Sequence, residues 1–141
     1  MQTLQEYHQS KAGEVRDAYA TYLRSFYWDT YLTVTFRNTR HDGTNAATAV
    51  WERLPFAPTR AFMAVEPNRL DGLHIHALLH HPLVENDTPG RTQAYCSNAF
   101  GWSKAEWVAS EGVESYVAKY VVKGNEFFFK GMPRFWKEMK T

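Results

Sequence analysis

Apolar residues recur at Ala12, Val15, Ala18/Tyr19, Tyr22/Leu23 and Phe26 within a proline-free stretch from about Leu4 to Phe26. That three-and-four spacing predicts an amphipathic helix. The period then changes. Tyr31-Leu32-Thr33-Val34-Thr35-Phe36 alternates cleanly, with Leu32, Val34 and Phe36 on one face and Thr33 and Thr35 on the other, as in a half-buried strand. Asp42-Gly43 breaks the chain, and Asn45 is placed to cap a short helix to about Leu54, ended by Pro55 and Pro58. Arg60 to Glu66 and Leu73 to His80 read as two strands joined by the turn-rich Pro67-Asn68-Arg69-Leu70-Asp71-Gly72, a hairpin with a long loop. Thr88-Pro89 opens a helix to about Phe100, and Gly101 to Val108 has a weaker strand pattern. Val113, Val117 and Val121, four residues apart, predict a helix from Gly112 to Lys123, stopped by Gly124. Glu126 to Lys130, with three successive phenylalanines, is a last strand or a hydrophobic clamp. This order predicts one α+β domain over residues 1–141, an antiparallel sheet with helices mainly on one side.

Composition narrows the class. A 141-residue chain with 44% hydrophobic and 22% charged residues suits one soluble globular core. No charged and apolar leader and no bilayer-length apolar run is visible, so an intracellular, cytoplasmic protein without membrane contact is expected. The lone Cys96 excludes an internal disulfide and a multi-cysteine zinc site, and reads as a small buried hydrophobe. Net charge is +1, but from Ser115 onward six Lys/Arg oppose two Asp/Glu, a balance of +4, which leaves −3 for residues 1–114. A basic C-terminal segment is suited to phosphate contact. No phosphate-binding glycine loop is present, so no ATPase module is expected.

His74-Ile75-His76 carries the clearest chemistry. On a strand, positions 74 and 76 share one face while Ile75 points into the core. Glu66 lies eight positions upstream, and a register opposing 66 with 74 would place all three on one face. Two imidazoles and a carboxylate leave a divalent ion net positive charge and open positions. The set suits Mn²⁺, tolerates Mg²⁺ and could hold Zn²⁺. His80 and His81 read as strand-end residues and Asp71 as turn chemistry.

Tyr116-Val-Ala-Lys119-Tyr120-Val-Val-Lys123 repeats Tyr-x-x-Lys at four-residue spacing. On a helix, Tyr116 and Tyr120 would form a stripe one turn apart, each followed one turn later by a lysine. A phenol with a pKa of about 10 is a weak nucleophile until deprotonated or stabilised. Beside a metal-bound phosphate, with Lys119 and Lys123 offsetting charge in the transition state, two such hydroxyls suit repeated transesterification of DNA.

Together these segments resemble the HUH endonuclease superfamily, in particular rolling-circle replication initiators. Tyr31-Leu-Thr-Val-Thr-Phe36 looks like the first family motif. Glu66-Pro-Asn-Arg-Leu-Asp-Gly-Leu-His74-Ile-His76 looks like the second, and Tyr116 to Lys123 like the third in its two-tyrosine form, as in initiators of small single-stranded DNA phages. The resemblance covers about residues 30–123. It implies a five-stranded antiparallel sheet with flanking helices, metal binding by Glu66, His74 and His76, and nucleophilic Tyr116 and Tyr120. It further implies a 5′-phosphotyrosine link that frees a 3′-hydroxyl for priming. The expected partner is single-stranded DNA, at an origin that forms a stem-loop, in the host cell of a phage, virus or plasmid. No helicase domain accompanies these motifs, so either unwinding is expected from a host or separate helicase, alongside a DNA polymerase, or the chain is an excised domain. Arg37, Arg40, Arg69, Lys130 and Arg134 are candidate phosphate contacts.

Three rival readings stand beside this one. A single-tyrosine transposase of the same superfamily would join hairpin-bearing ends. A non-catalytic module would bind single strands by stacking bases on Trp28, Trp51, Trp102, Trp107 or Trp136. A zinc hydrolase would use Glu66, His74 and His76 and be indifferent to the tyrosines.

Overall fold

The structure, a computed structural model, describes residues 3–37, 42–67, 72–108 and 126–132. Within these, the chain forms helix α1 (Leu4–Arg24), strand β1 (Thr30–Thr35), helix α2 (Gly43–Arg53) and strands β2 (Arg60–Pro67) and β3 (Leu73–His80). Helix α3 (Thr88–Ala99) and strands β4 (Ser103–Trp107) and β5 (Glu126–Lys130) follow. The five strands make one antiparallel sheet in the order β4-β1-β3-β2-β5. The α+β class with an antiparallel sheet is as the element order predicts, and the five strands with flanking helices are as the resemblance implies. The helix expected at Gly112 to Lys123 lies outside the described residues.

Strand alternation divides the sheet into two faces. Leu32, Val34, Ala61, Met63, Val65, Ile75, Ala77 and Leu79 point to one side. There they meet Ala46, Ala47 and Val50 of α2, with Cys96 of α3 and Phe100. On the other side Phe62, Ala64 and Leu78 pack with Ala20 and Leu23 of α1 and with Trp28. An aromatic cluster seals this second layer, with the Tyr19 and Phe127 rings edge to face at 5.0 Å and those of Phe62 and Phe129 at 5.1 Å. β5 is thus both a strand and a clamp. Helices cover both faces rather than mainly one, because α1 has its own apolar partners on the second face.

Local chemistry sets the element ends. α2 is capped by Asp42 rather than Asn45: its carboxylate accepts from the Thr44 and Asn45 N–H groups at 3.0 and 3.2 Å. α3 has Pro89 in its first turn, where no N–H is required. Gly101 holds a positive φ of 150° where β4 is about to join β1, and a Cβ there would run into the Thr35 carbonyl oxygen and the Arg37 nitrogen. Among the described residues no helix is long and apolar enough to cross a membrane.

Candidate metal centre

The β2–β3 register sets Glu66 directly opposite His74 and Ala64 opposite His76. Even spacing then puts Glu66, His74 and His76 on the α1-side face, while Ile75 is fully buried in the other layer. His76 Nε2 lies 3.0 Å from Glu66 Oε1. The His74 and His76 rings are parallel within 7°, their centroids 6.3 Å apart. His76 is 7% exposed, whereas the Glu66 side chain keeps 27% of its surface open to solvent.

β1 supplies a second set of contacts. Thr35 stands opposite His74, and its hydroxyl lies 3.0 Å from His74 Nδ1. The Tyr31 hydroxyl lies 3.2 Å from His76 Nδ1, and the two rings stack at 6.5 Å and 19°. A carboxylate only accepts hydrogen bonds, so the proton between His76 and Glu66 sits on Nε2, and Tyr31 donates to Nδ1. Burial holds the His76 pKa below the ordinary histidine value, aided by repulsion from His74 and opposed by the hydrogen bond and charge of Glu66. The neutral imidazole that a metal would require is thereby favoured.

Two imidazoles and a carboxylate brought onto one half-open face fit a divalent cation by donor chemistry. Their present rotamers do not form a ready-made cage. Among the described residues no three His, Cys, Asp or Glu side chains converge as a metal-binding group. The Glu66–His76 hydrogen bond occupies the atoms an ion would need, so binding requires that contact to open.

The surroundings of the face follow from the ladder. The Thr35 N–H donates to the Trp102 carbonyl at 2.8 Å, which extends the row Glu66, His74, Thr35 to Trp102. The next row is Ala64, His76, Thr33 and Lys104. Trp102 is 64% exposed, and Lys104 is exposed as well. Sequence reading proposes Trp102 as a stacking residue without placing it, and it misses Tyr31 and Thr35 as partners of the histidines and Lys104 across β1 from His76. Parity alone puts Thr33 and Thr35 on a polar face; that β1 lies beside β3 is a matter of strand order.

The remaining candidates are dispersed. Arg37 donates to the Ser97 carbonyl at 2.9 Å in the last turn of α3. Lys130 shares parity with Phe128, which packs against the α2-side core. Trp28 is buried, with Nε1 donating to the Leu23 carbonyl at 2.7 Å, and Trp51 packs against the core, while Trp107 is exposed. Arg40, Arg69, Asp71, Tyr116, Lys119, Tyr120, Lys123, Arg134 and Trp136 lie outside the described residues. Burial pushes the Cys96 thiol up to about 12, which makes it inert.

A second polar cluster lies at the far end of β3. Asp29 accepts from the His81 backbone N–H and from His81 Nδ1, both at 2.6 Å, and from the Thr30 hydroxyl at 2.7 Å. This ties the start of β1 to the end of β3 and accounts for a histidine side chain with no exposed surface. Burial alone would raise the Asp29 pKa; the bonds from His81 and Thr30 outweigh it and hold the carboxyl below its ordinary value.

No protein family, curated protein or solved structure matches the chain.

Proposed function

We propose that this protein is a metal-dependent, site-specific nickase and strand transferase for single-stranded DNA, of the HUH endonuclease type, which initiates rolling-circle replication. The observation that carries the reading is the register of the β2–β3 hairpin. It pairs Glu66 with His74 and brings His76 within 3.0 Å of the same carboxylate, on a face flanked by an exposed tryptophan and lysine. Glu66, His74 and His76 would hold Mn²⁺ or Mg²⁺. Such an ion supplies Lewis-acid polarisation of the scissile phosphate. Tyr116 and Tyr120 enter from the sequence alone. The hydroxyl oxygen of one attacks phosphorus as its proton is lost. The bond from phosphorus to the 3′ oxygen breaks, that oxygen leaves as a hydroxyl, and a 5′-phosphotyrosine remains. Lys119 and Lys123 offset the charge that builds on the phosphate. The second tyrosine lets the transfer repeat without ATP. The partners on this reading are a stem-loop origin, a helicase activity and a DNA polymerase, in the cytoplasm of the host of a phage, virus or plasmid.

A second reading, a non-catalytic single-strand-binding module, is favoured by two observations. The Glu66–His76 pair is satisfied by its own hydrogen bond, and Trp102 offers an exposed ring at the edge of the same sheet, beyond β1. A nicking assay separates the two. Wild type is incubated with a diverse pool of labelled single-stranded oligonucleotides, with Mn²⁺ or with EDTA, beside His74→Ala and the double variant Tyr116→Phe/Tyr120→Phe. Cleavage by wild type that EDTA and both variants abolish supports the nickase. Tight binding by wild type without any cleavage points to the binding module, and cleavage that survives the double variant points to a hydrolase.

A further inference from the structure

The contacts from β1 give this strand a role beyond framing the sheet. Both Nδ1 atoms of the histidine pair are held by hydroxyls of β1, Thr35 at 3.0 Å from His74 and Tyr31 at 3.2 Å from His76. The rings of Tyr31, His76 and His74 are close to parallel in succession, at 19° and 7°. Each imidazole is thus fixed in both position and plane, and its Nε2, which in His76 now meets Glu66, is the atom that would ligate. We propose that Tyr31 and Thr35 are positioning residues for a divalent cation, which they serve by accommodating a change of histidine tautomer when the cation binds. This inference rests on the metal reading given above.

The argument concerns hydrogens. With the Glu66–His76 contact closed, His76 carries its proton on Nε2 and accepts at Nδ1 from the Tyr31 hydroxyl. If Nε2 were to hold an ion, His76 would give up that proton to solvent and, as a neutral ring, would carry one taken from solvent at Nδ1. Nδ1 must now donate. A hydroxyl both donates and accepts, so Tyr31 turns its own hydrogen away and accepts through the same oxygen. The ring nitrogen has a partner in both states. A carbonyl in that place could only accept and would disfavour the closed state, and an apolar group would leave Nδ1 of a largely buried ring unpaired in either. Thr35 offers His74 the same versatility. Outer contacts of this kind to metal-ligating histidines typically contribute about 10–100-fold in affinity.

The test compares wild type, Tyr31→Phe, Thr35→Val and Thr35→Ser in two ways. Mn²⁺ affinity is read from the electron paramagnetic resonance of the free ion. Tautomers are read from ¹⁵N spectra of the imidazoles, without metal and with diamagnetic Mg²⁺. Thermal unfolding confirms that each variant is folded. In wild type, His76 is expected as the Nε2–H form without metal and the Nδ1–H form with it. Tyr31→Phe and Thr35→Val should each weaken Mn²⁺ binding by about 10–100-fold, with Thr35→Ser restoring it and metal-free Tyr31→Phe keeping the Nε2–H form that the Glu66 carboxylate fixes. Equal Mn²⁺ affinity across all four proteins, or a wild-type His76 tautomer that stays the same when Mg²⁺ binds, would overturn the positioning role and leave the metal reading standing. A wild type that binds no Mn²⁺ would overturn the metal reading and the positioning role with it.

Discussion

At the residue scale, two carboxylates of the same sheet are used in opposite ways. Glu66 meets one buried imidazole, that of His76, but keeps part of its own surface in solvent, which leaves it able to exchange partners. Asp29 is 2% exposed, and three donors saturate it. The Asp29 cluster carries a consequence for stability. Its folded-state pKa lies below the ordinary value of 3.8, so the ionised form is favoured by folding. That contribution is present in full above the unfolded value and is lost as pH falls through the folded one. Asp29→Ala is expected to cost about 3–5 kcal/mol at neutral pH, because it strands buried donors. The gap in urea midpoint between wild type and this variant should narrow as pH drops below 4. A gap that does not change between pH 7 and pH 3 would show that folding leaves the Asp29 pKa where it lies in the unfolded chain.

At the element scale, the hairpin is the part whose geometry matters most, and it was also the most legible. Leu73 to His80 alternates with an apolar core residue between two histidines, and an even separation to Glu66 leaves few registers that bury Val65 and Ile75 together. β4 was harder to read. It is a five-residue edge strand, and Lys104, Glu106 and Trp107 are exposed, so only the periodicity of Ser103 and Ala105 points inward. Its place beside β1 is imposed by the approach at Gly101, where the backbone contact leaves no room for a side chain. The side taken by α1 was not legible either, since an amphipathic stripe shows that a helix is buried but not on which face of a sheet. Gly101→Ala is expected to lower stability by about 1–3 kcal/mol through strain at a positive φ. It should also loosen the row that carries Trp102. Chemical denaturation measures the first effect, and hydrogen exchange of the Thr35 and Arg37 amides, bonded to Trp102 and Phe100, measures the second.

For the whole molecule, the sheet separates stability from chemistry. One face is closed by α2 and α3 over a continuous aliphatic core, while the other is sealed by aromatic rings around Phe62 and opens toward Glu66, His74 and His76. The strand order carries that open region to Trp102 and Lys104 on β4. A single strand lying across it could stack a base on Trp102 and set a phosphate near Lys104, and base–aromatic stacking contributes about 1–3 kcal/mol. Trp102→Ala is therefore expected to weaken binding of single-stranded DNA by about 5–100-fold. Trp28, which is buried, serves no such purpose, and a titration in which Trp102→Ala binds as wild type would remove β4 from the interface. The central claim, that a tyrosine of this chain becomes joined to DNA under the control of the histidine face, is tested most directly by mass spectrometry. Wild-type protein trapped on single-stranded oligonucleotides with Mn²⁺ is digested and searched for the modified peptide. A nucleotide adduct on Tyr116 or Tyr120, lost in His74→Ala and in EDTA, is the expected result. An adduct on another residue, or one that forms equally in His74→Ala, would contradict it.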